Sequence, residues 1–380
     1  MKKVISILKL LGVWTLILLV FGVIFEIYLR NSTYVGKQTL TYTVNDQFGT
    51  WRLPNQRAVK VADCYQVDDI RVNSYGMRGA EPDDQKKIKV GFFGDSMLEG
   101  IQVNEKDHVV TRLNEANDSV DYLNFATSST TTVYHLLDLK YHLQFFNLKK
   151  AVIFFYMNND IQENSIPLQV AMNGKRYYYP SYVDDGNGGY KLDYNYRPSD
   201  WKNDLRLFLR KSLVFQKLYE IQTAVQMAKL SKAKAVAGQN GEHIEIPIGY
   251  QVFAKETTPE WQKAYELTDY SILQLKSFCE EKGIELEFVL VPGVGELLSE
   301  QEEKAHYQKL YPLMDQTKPY RYYTAFLTQN NIKYIDLYAA ARQRIAEQKL
   351  SYPYFSYECD GHFSKAGHDL MFDVLKANGF

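Results

Sequence analysis

Gly91-Phe92-Phe93-Gly94-Asp95-Ser96-Met97-Leu98-Glu99-Gly100 (GFFGDSMLEG) decides the fold. An apolar run enters from Lys89-Val90, reaches Phe93 and stops at a small-acidic-small triplet. Gly-Asp-Ser is common turn chemistry. It also suits a chain that must hold a serine hydroxyl at a strand-to-helix turn. The flanking sequence decides between the two.

Lys89–Phe93 reads as a buried strand, and four more follow. They are Asp121–Ala126, Ala151–Tyr156, Ile284–Val291 and Lys333–Leu337. Helical patterns lie between and after them at Val133–Phe146, Trp261–Lys282 and Ser364–Ala377. Near-continuous apolar strands alternating with helices predict a parallel sheet covered on both faces. Ligands in such sheets bind at the carboxyl ends of the strands. Ahead of this rhythm, Thr39–Val44 has strand alternation and Asn73–Gly79 reads as a turn. Arg78 in that turn is expected in a structural salt bridge. The rhythm is interrupted at about 166–259. There a hairpin is expected from Lys175–Tyr179 through Asp185–Gly189 to Tyr190–Leu192. A long basic amphipathic helix is expected over 201–235, packed on the domain with its charges in water; a position on the membrane surface is the alternative reading. The insertion as a whole is placed to cap the active site.

The 380 residues carry a formal net charge of -1, which argues against a nucleic-acid partner. Three cysteines, Cys64, Cys279 and Cys359, are too few and too scattered for a disulfide scaffold or a zinc site. At most one disulfide fits within the chain, and Cys359 reads as a small packing residue. Leu10–Phe25 contains no charge. With Val4–Lys9 it is long enough to span a bilayer. Lys2, Lys3 and Lys9 place its N-terminus in the cytoplasm. Bulky Phe25–Arg30 offers no cleavage site, so the segment reads as an uncleaved anchor in the cell membrane. The expected division is 1–31 as cytoplasmic tip and anchor, 32–87 as an N-terminal extension, and 88–380 as one extracytoplasmic domain.

The strand ends supply one chemistry. The first ends in Gly94-Asp95-Ser96, the second in Asn124-Phe125-Ala126 and the third in Asn158-Asn159-Asp160; Asp360-Gly361-His362 precedes the last helix. In a parallel sheet all four meet at one edge. A serine hydroxyl becomes a nucleophile when a base takes its proton. His362 is the candidate base. Asp360, two residues earlier on the same side of an extended segment, orients it. The Ser96 N–H, the Ala126 N–H and the Asn159 side-chain amide are candidate oxyanion donors. His368 reads as a surface helix residue.

These blocks resemble the SGNH hydrolases, or GDSL esterase/lipase superfamily. Gly94-Asp95-Ser96 matches the nucleophile block and Asn159-Asp160 the third block. Asp360-Gly361-His362 matches the last block in the short form found in alginate O-acetylation domains. Ala126 stands where the second block usually has Gly, and Met157 stands where the third does. The resemblance implies a flavodoxin-like three-layer α/β/α sandwich with a parallel sheet. It implies a Ser96–His362–Asp360 mechanism with no metal or organic cofactor. The expected activity is an esterase or O-acyltransferase acting on O-acetyl groups of envelope or secreted polysaccharide, with a membrane acyl-donor protein as a partner for transfer. A lipase or thioesterase, and a non-catalytic scaffold of a polysaccharide-export complex, are the alternative readings.

Overall fold

The computed structural model describes residues 2–31, 40–196, 200–209, 211–219, 221–222, 225 and 246–380. Its strands are β1 (Tyr42–Asn45), β2 (Gly49–Arg52), β3 (Gln56–Val61), β4 (Gln66–Val72), β5 (Ile88–Gly94), β6 (Val120–Asn124), β7 (Leu148–Tyr156), β8 (Ser181–Asp184), β9 (Tyr190–Asp193), β10 (Glu285–Val291) and β11 (Lys333–Ile335). Five of them form the central sheet, in the order β11-β10-β7-β5-β6. All four pairings are parallel. The N-terminal strands pair separately as the antiparallel hairpins β1–β2 and β3–β4.

The helices used below are α1 (Lys2–Asn31), α2 (Ser96–Glu99), α3 (Val109–Glu115), α4 (Thr132–His142), α5 (Asn159–Glu163), α6 (Ile166–Asn173), α7 (Asp200–Leu209), α8 (Pro259–Lys282), α9 (Glu300–Tyr307), α10 (Lys318–Gln329), α11 (Leu337–Gln348) and α12 (Lys365–Ala377). Side chains alternate across the sheet, so each strand feeds two cores. Phe93, Ile153, Phe155 and Phe288 face one side and pack with Leu136 of α4, Leu275 of α8 and Tyr323 of α10. Phe92, Val152, Phe154 and Val289 face the other and pack with Leu113 of α3, Ala341 of α11 and Leu370 of α12. Each buried Phe contributes about 1.5–3 kcal/mol relative to exposure. The fold is therefore the expected three-layer α/β/α sandwich.

Two glycines of the opening stretch have steric reasons. A Cβ on Gly94 would come 3.0 Å from the Phe154 Cβ on the neighbouring strand. Gly100 caps α2 in the left-handed region at φ 61°, where a Cβ would lie 2.7 Å from the His368 ring.

Several expectations change. The hairpin in the insertion begins after Pro180, at β8, because proline cannot donate to a ladder. The helix expected over 201–235 is two pieces: α7 ends at Leu209, and helix resumes at 213. Ser212 Oγ accepts the Phe215 N–H at 3.3 Å, which is N-cap geometry. Residues 226–235 lie outside the described residues. His368 is fully buried rather than on the surface, because α12 turns it toward the core, where its Nδ1 accepts the Val109 N–H. Arg78, by contrast, sits in the expected structural salt bridge: it is buried, 3.7 Å from Glu105, and donates to the Glu99 and Val103 carbonyls. Cys359 is not a packing residue. It forms a disulfide with Cys64, closing a separation of 295 residues.

Candidate active site

Strand β5 ends at Gly94, and Asp95 caps α2 through its carboxylate on the Met97 N–H. Ser96 is thereby the first helical residue. Its N–H is one of the donors that a helix start leaves without an intrahelical acceptor. Ser96 Oγ lies 2.9 Å from His362 Nε2. That distance permits direct proton transfer from hydroxyl to imidazole. The pair comes from positions 266 residues apart.

His362 Nδ1 lies 3.5 Å from Asp360 Oδ2. This is an ion-pair distance, longer than a hydrogen bond. Such contacts commonly tighten when substrate binds. Asp360 Oδ1 accepts the His362 backbone N–H at 3.1 Å, and Oδ2 accepts the Tyr65 hydroxyl at 2.6 Å. Tyr65 packs on Tyr357 with ring centroids 4.5 Å apart. The neighbours of Tyr65 and Asp360 are the paired Cys64 and Cys359. The loop that carries the acid and base is thus fastened to the β3–β4 hairpin by a covalent bond and a phenol. Burial pushes the His362 imidazole below its ordinary value; Asp360 opposes this, and the charge of Lys60 on β3 adds to it. The ring is therefore uncharged at neutral pH, as a base must be.

Asn159 opens α5 at the end of β7, and its Nδ2 donates to Asp95 Oδ2 at 3.3 Å. The bond holds the Asn159 amide beside Asp95 and leaves a second N–H on Nδ2. Burial pushes the Asp95 carboxyl up to about 7, against the N–H groups of Met97 and Asn159 that stabilise its charge. Ala126 departs from expectation. Its N–H donates to Asn124 Oδ1 at 3.0 Å, because the buried Asn124 carbonyl needs a donor and finds it two residues along. Its carbonyl accepts from Arg52 Nη1. The sheet edge brings Ser96, His362, Asp360 and Asn159 together, while the Ala126 N–H is engaged elsewhere.

His362 and Asn159 open on a cleft of about 320 Å³. Its other walls are Tyr156, Tyr250, Phe253, Tyr307, Tyr352 and the 293–296 turn after β10. Among the described residues no Lys or Arg lines it, and His306 does. Tyr250 and Phe253 are the insertion's contribution among the described residues. Glu296 is buried in this wall, with Oε2 accepting the Gly293 N–H at 2.6 Å. Burial pushes its carboxyl up to about 8, so it carries a proton at pH 7.

Sequence reasoning missed Tyr65, Lys60, Glu296 and the Arg52–Glu99 pair. The pair is fully buried at 2.7 Å and joins β2 to the end of α2. Only Tyr65 had an available signal. Cys64 beside it has Cys359 as a possible partner, and Cys359 adjoins Asp360.

No family model matches the chain, and no curated protein matches it. Solved structures do. A GDSL-like lipase from Bacteroides thetaiotaomicron is 14% identical over 79% of this chain and 90% of its own, with a TM-score of 0.34. A member of the lipolytic G-D-S-L family from Veillonella parvula is 11% identical over 76% and 97%, with a TM-score of 0.36. A catalytic mutant of an acetylxylan esterase from Geobacillus stearothermophilus is 12% identical over 78% and 95%, with a TM-score of 0.37. These are proteins the chain is similar to; the site is read from its own geometry.

Proposed function

We propose that the protein is an extracytoplasmic serine acyl-ester hydrolase or O-acyltransferase, acting on short acyl esters, O-acetyl first, of an envelope or secreted polysaccharide. The observation that carries this is the 2.9 Å contact between Ser96 Oγ and His362 Nε2 at the carboxyl end of β5.

In the proposed reaction Ser96 Oγ attacks the ester carbonyl as its proton passes to His362 Nε2. Asp360 stabilises the imidazolium. The Ser96 N–H and the free N–H of Asn159 receive the developing oxyanion; one such donor contributes about 3–4 kcal/mol. The C–O bond to the leaving alcohol breaks and His362 returns the proton to it, leaving an acyl ester on Ser96. Water or a sugar hydroxyl gives its proton to His362 Nε2 and attacks that ester; the bond between Ser96 Oγ and the acyl carbon breaks, and His362 returns the proton to Ser96 Oγ. The first outcome is hydrolysis and the second is transfer.

The substrate class is supported by the cleft. Its small size and polar walls suit an acetyl group better than a long acyl chain. Tyrosine faces and a protonated carboxyl, without a Lys or Arg, suit an uncharged sugar. The Cys64–Cys359 disulfide supports an oxidising compartment outside the cytoplasm. The test is hydrolysis of p-nitrophenyl acetate by the parent and by Ser96→Ala, with mass spectrometry for the acyl adduct. Loss of about three to six powers of ten in kcat, with the adduct absent, is expected for the variant. Equal rates in both proteins would overturn the proposal. Acetyl transfer to a glycan acceptor, set against free acetate, separates transferase from hydrolase.

A further inference from the structure

Helix α1 carries a span, Lys9–Asn31, that is long and apolar enough to cross a membrane, and its side chains from Lys9 to Phe21 are all exposed. From Val4 to Phe25 it measures about 33 Å at 1.5 Å per residue. That matches a hydrocarbon core of about 30 Å. Glu26 is the first charge after this stretch, so in a spanning helix it stands at the outer edge of the hydrocarbon.

The domain touches α1 at that level. Glu26 accepts the N–H groups of Leu213 and Val214 at 3.1 and 3.0 Å and the Ser212 hydroxyl at 2.9 Å. Its carboxylate thus satisfies the open N-terminus of the helix that resumes at 213. Arg30, paired with Glu26 at 2.6 Å, donates to the Lys211 carbonyl at 2.9 Å. Leu29 is buried. The break between the two helical pieces is therefore fixed at interface depth.

Both pieces expose apolar faces beside this point. On α7, Trp201, Leu205 and Phe208 lie at i, i+4 and i+7 with exposures of 63%, 46% and 66%. Half-buried Leu207 and Leu209 turn toward the domain. After the break, Leu218, Ile221 and Val225 lie at i, i+3 and i+7, and all are exposed. Each set occupies one helix face. Lys202 and Lys211 are exposed at the margins, where anionic headgroups attract cations, and Asp204 is exposed at the margin of the same α7 face. The sequence leads one to expect the apolar face packed on the domain and the charges in water; Lys202, Asp204 and Lys211 are exposed as expected, but Trp201, Leu205 and Phe208 are exposed as well.

We propose that these two apolar faces lie in the headgroup–acyl boundary of the membrane that α1 crosses. The protein then rests on the bilayer along α7 and the helix after it, as well as being tethered by α1. The occupant is lipid, because hydrogen bonds to the end of a membrane-spanning helix set the depth, and because Trp, Phe and Leu on one face with Lys at its margin is the pattern of an interfacial helix. The inference stands apart from the proposed chemistry.

The test uses the full chain in vesicles of phosphatidylethanolamine and phosphatidylglycerol. Nitroxide labels are placed at Leu205→Cys and Phe208→Cys, with Glu347→Cys on exposed α11 as the aqueous control. Cys279 is buried and Cys64 is paired with Cys359, so the introduced thiol is the accessible one. A ratio of oxygen to nickel-chelate collisions several-fold higher at 205 and 208 than at 347 is expected. A ratio equal to the control would overturn the proposal. Shielding from both colliders would also overturn it, and would give the face to a second copy or another protein. Trp201→Cys reads the same face if either variant fails to fold.

Discussion

At the residue scale, the arrangement turns on how His362, the proposed base, is kept uncharged and Asp360, its proposed partner, is kept in place. His362 is partly withdrawn from water, and Lys60 stands near enough for its charge to disfavour the imidazolium. The acid limb of kcat/KM should therefore lie below the ordinary histidine value of 6.5, with activity lost as pH falls through it. Lys60→Gln removes the neighbouring cation. The imidazolium becomes easier to form, so the limb should move to higher pH. A pH profile of p-nitrophenyl acetate hydrolysis reads the shift, and an unmoved limb would mean that burial alone sets it. Asp360 was legible from its place two residues before His362. Its restraint by Tyr65, 295 residues away, could be reached only through the pairing of the adjacent Cys64 and Cys359.

At the scale of elements, β5 and α2 form one device. The strand must end, the helix must start within two residues, and nothing bulky can stand between β5 and β7. Asp95 supplies the cap, Gly94 the clearance and Gly100 the left-handed exit. Gly100→Ala meets both the unfavourable φ and the His368 ring. It should destabilise the protein by about 1–3 kcal/mol. Urea unfolding midpoints measure this, and a shift under about 0.5 kcal/mol would show that α2 ends freely. The five strands of the central sheet were legible to within a few residues because their apolar residues cluster in short runs, whereas β2, β3 and β4, which are more polar, were not. The break at 211–212 was not, because the cap that secures it comes in part from Glu26 on α1. No periodicity within 201–235 contains that information.

At the scale of the whole molecule, the N-terminal extension is built into the site. Arg52 of β2 pairs with Glu99 of α2, and Gly76 takes the Arg52 Nε–H at 2.7 Å. Tyr65 reaches Asp360, and Cys64–Cys359 makes the attachment covalent. Replacing both cysteines by serine removes a staple across most of the chain. It should cost about 2–5 kcal/mol in unfolding free energy. It should also lower kcat more than it raises KM, because the loop bearing Asp360 and His362 loses its tether. Denaturant unfolding and steady-state kinetics on the same variant check both. Full stability and unchanged kcat would sink the claim.

The sequence by itself determined the alternation of strands and helices, the residue types at the strand ends and the apolar helix at the start. Those follow from local patterning, which composition and spacing encode directly. Tertiary structure decided which cysteines pair, that Tyr65 holds Asp360, that the Ala126 N–H goes to Asn124, and that His368 is buried. It also decided that a proton stays on Glu296 and that α7 shows its apolar face. Each of these depends on what lies beside a residue across long sequence separations. Only the folded packing sets that proximity, with the desolvation that comes with it.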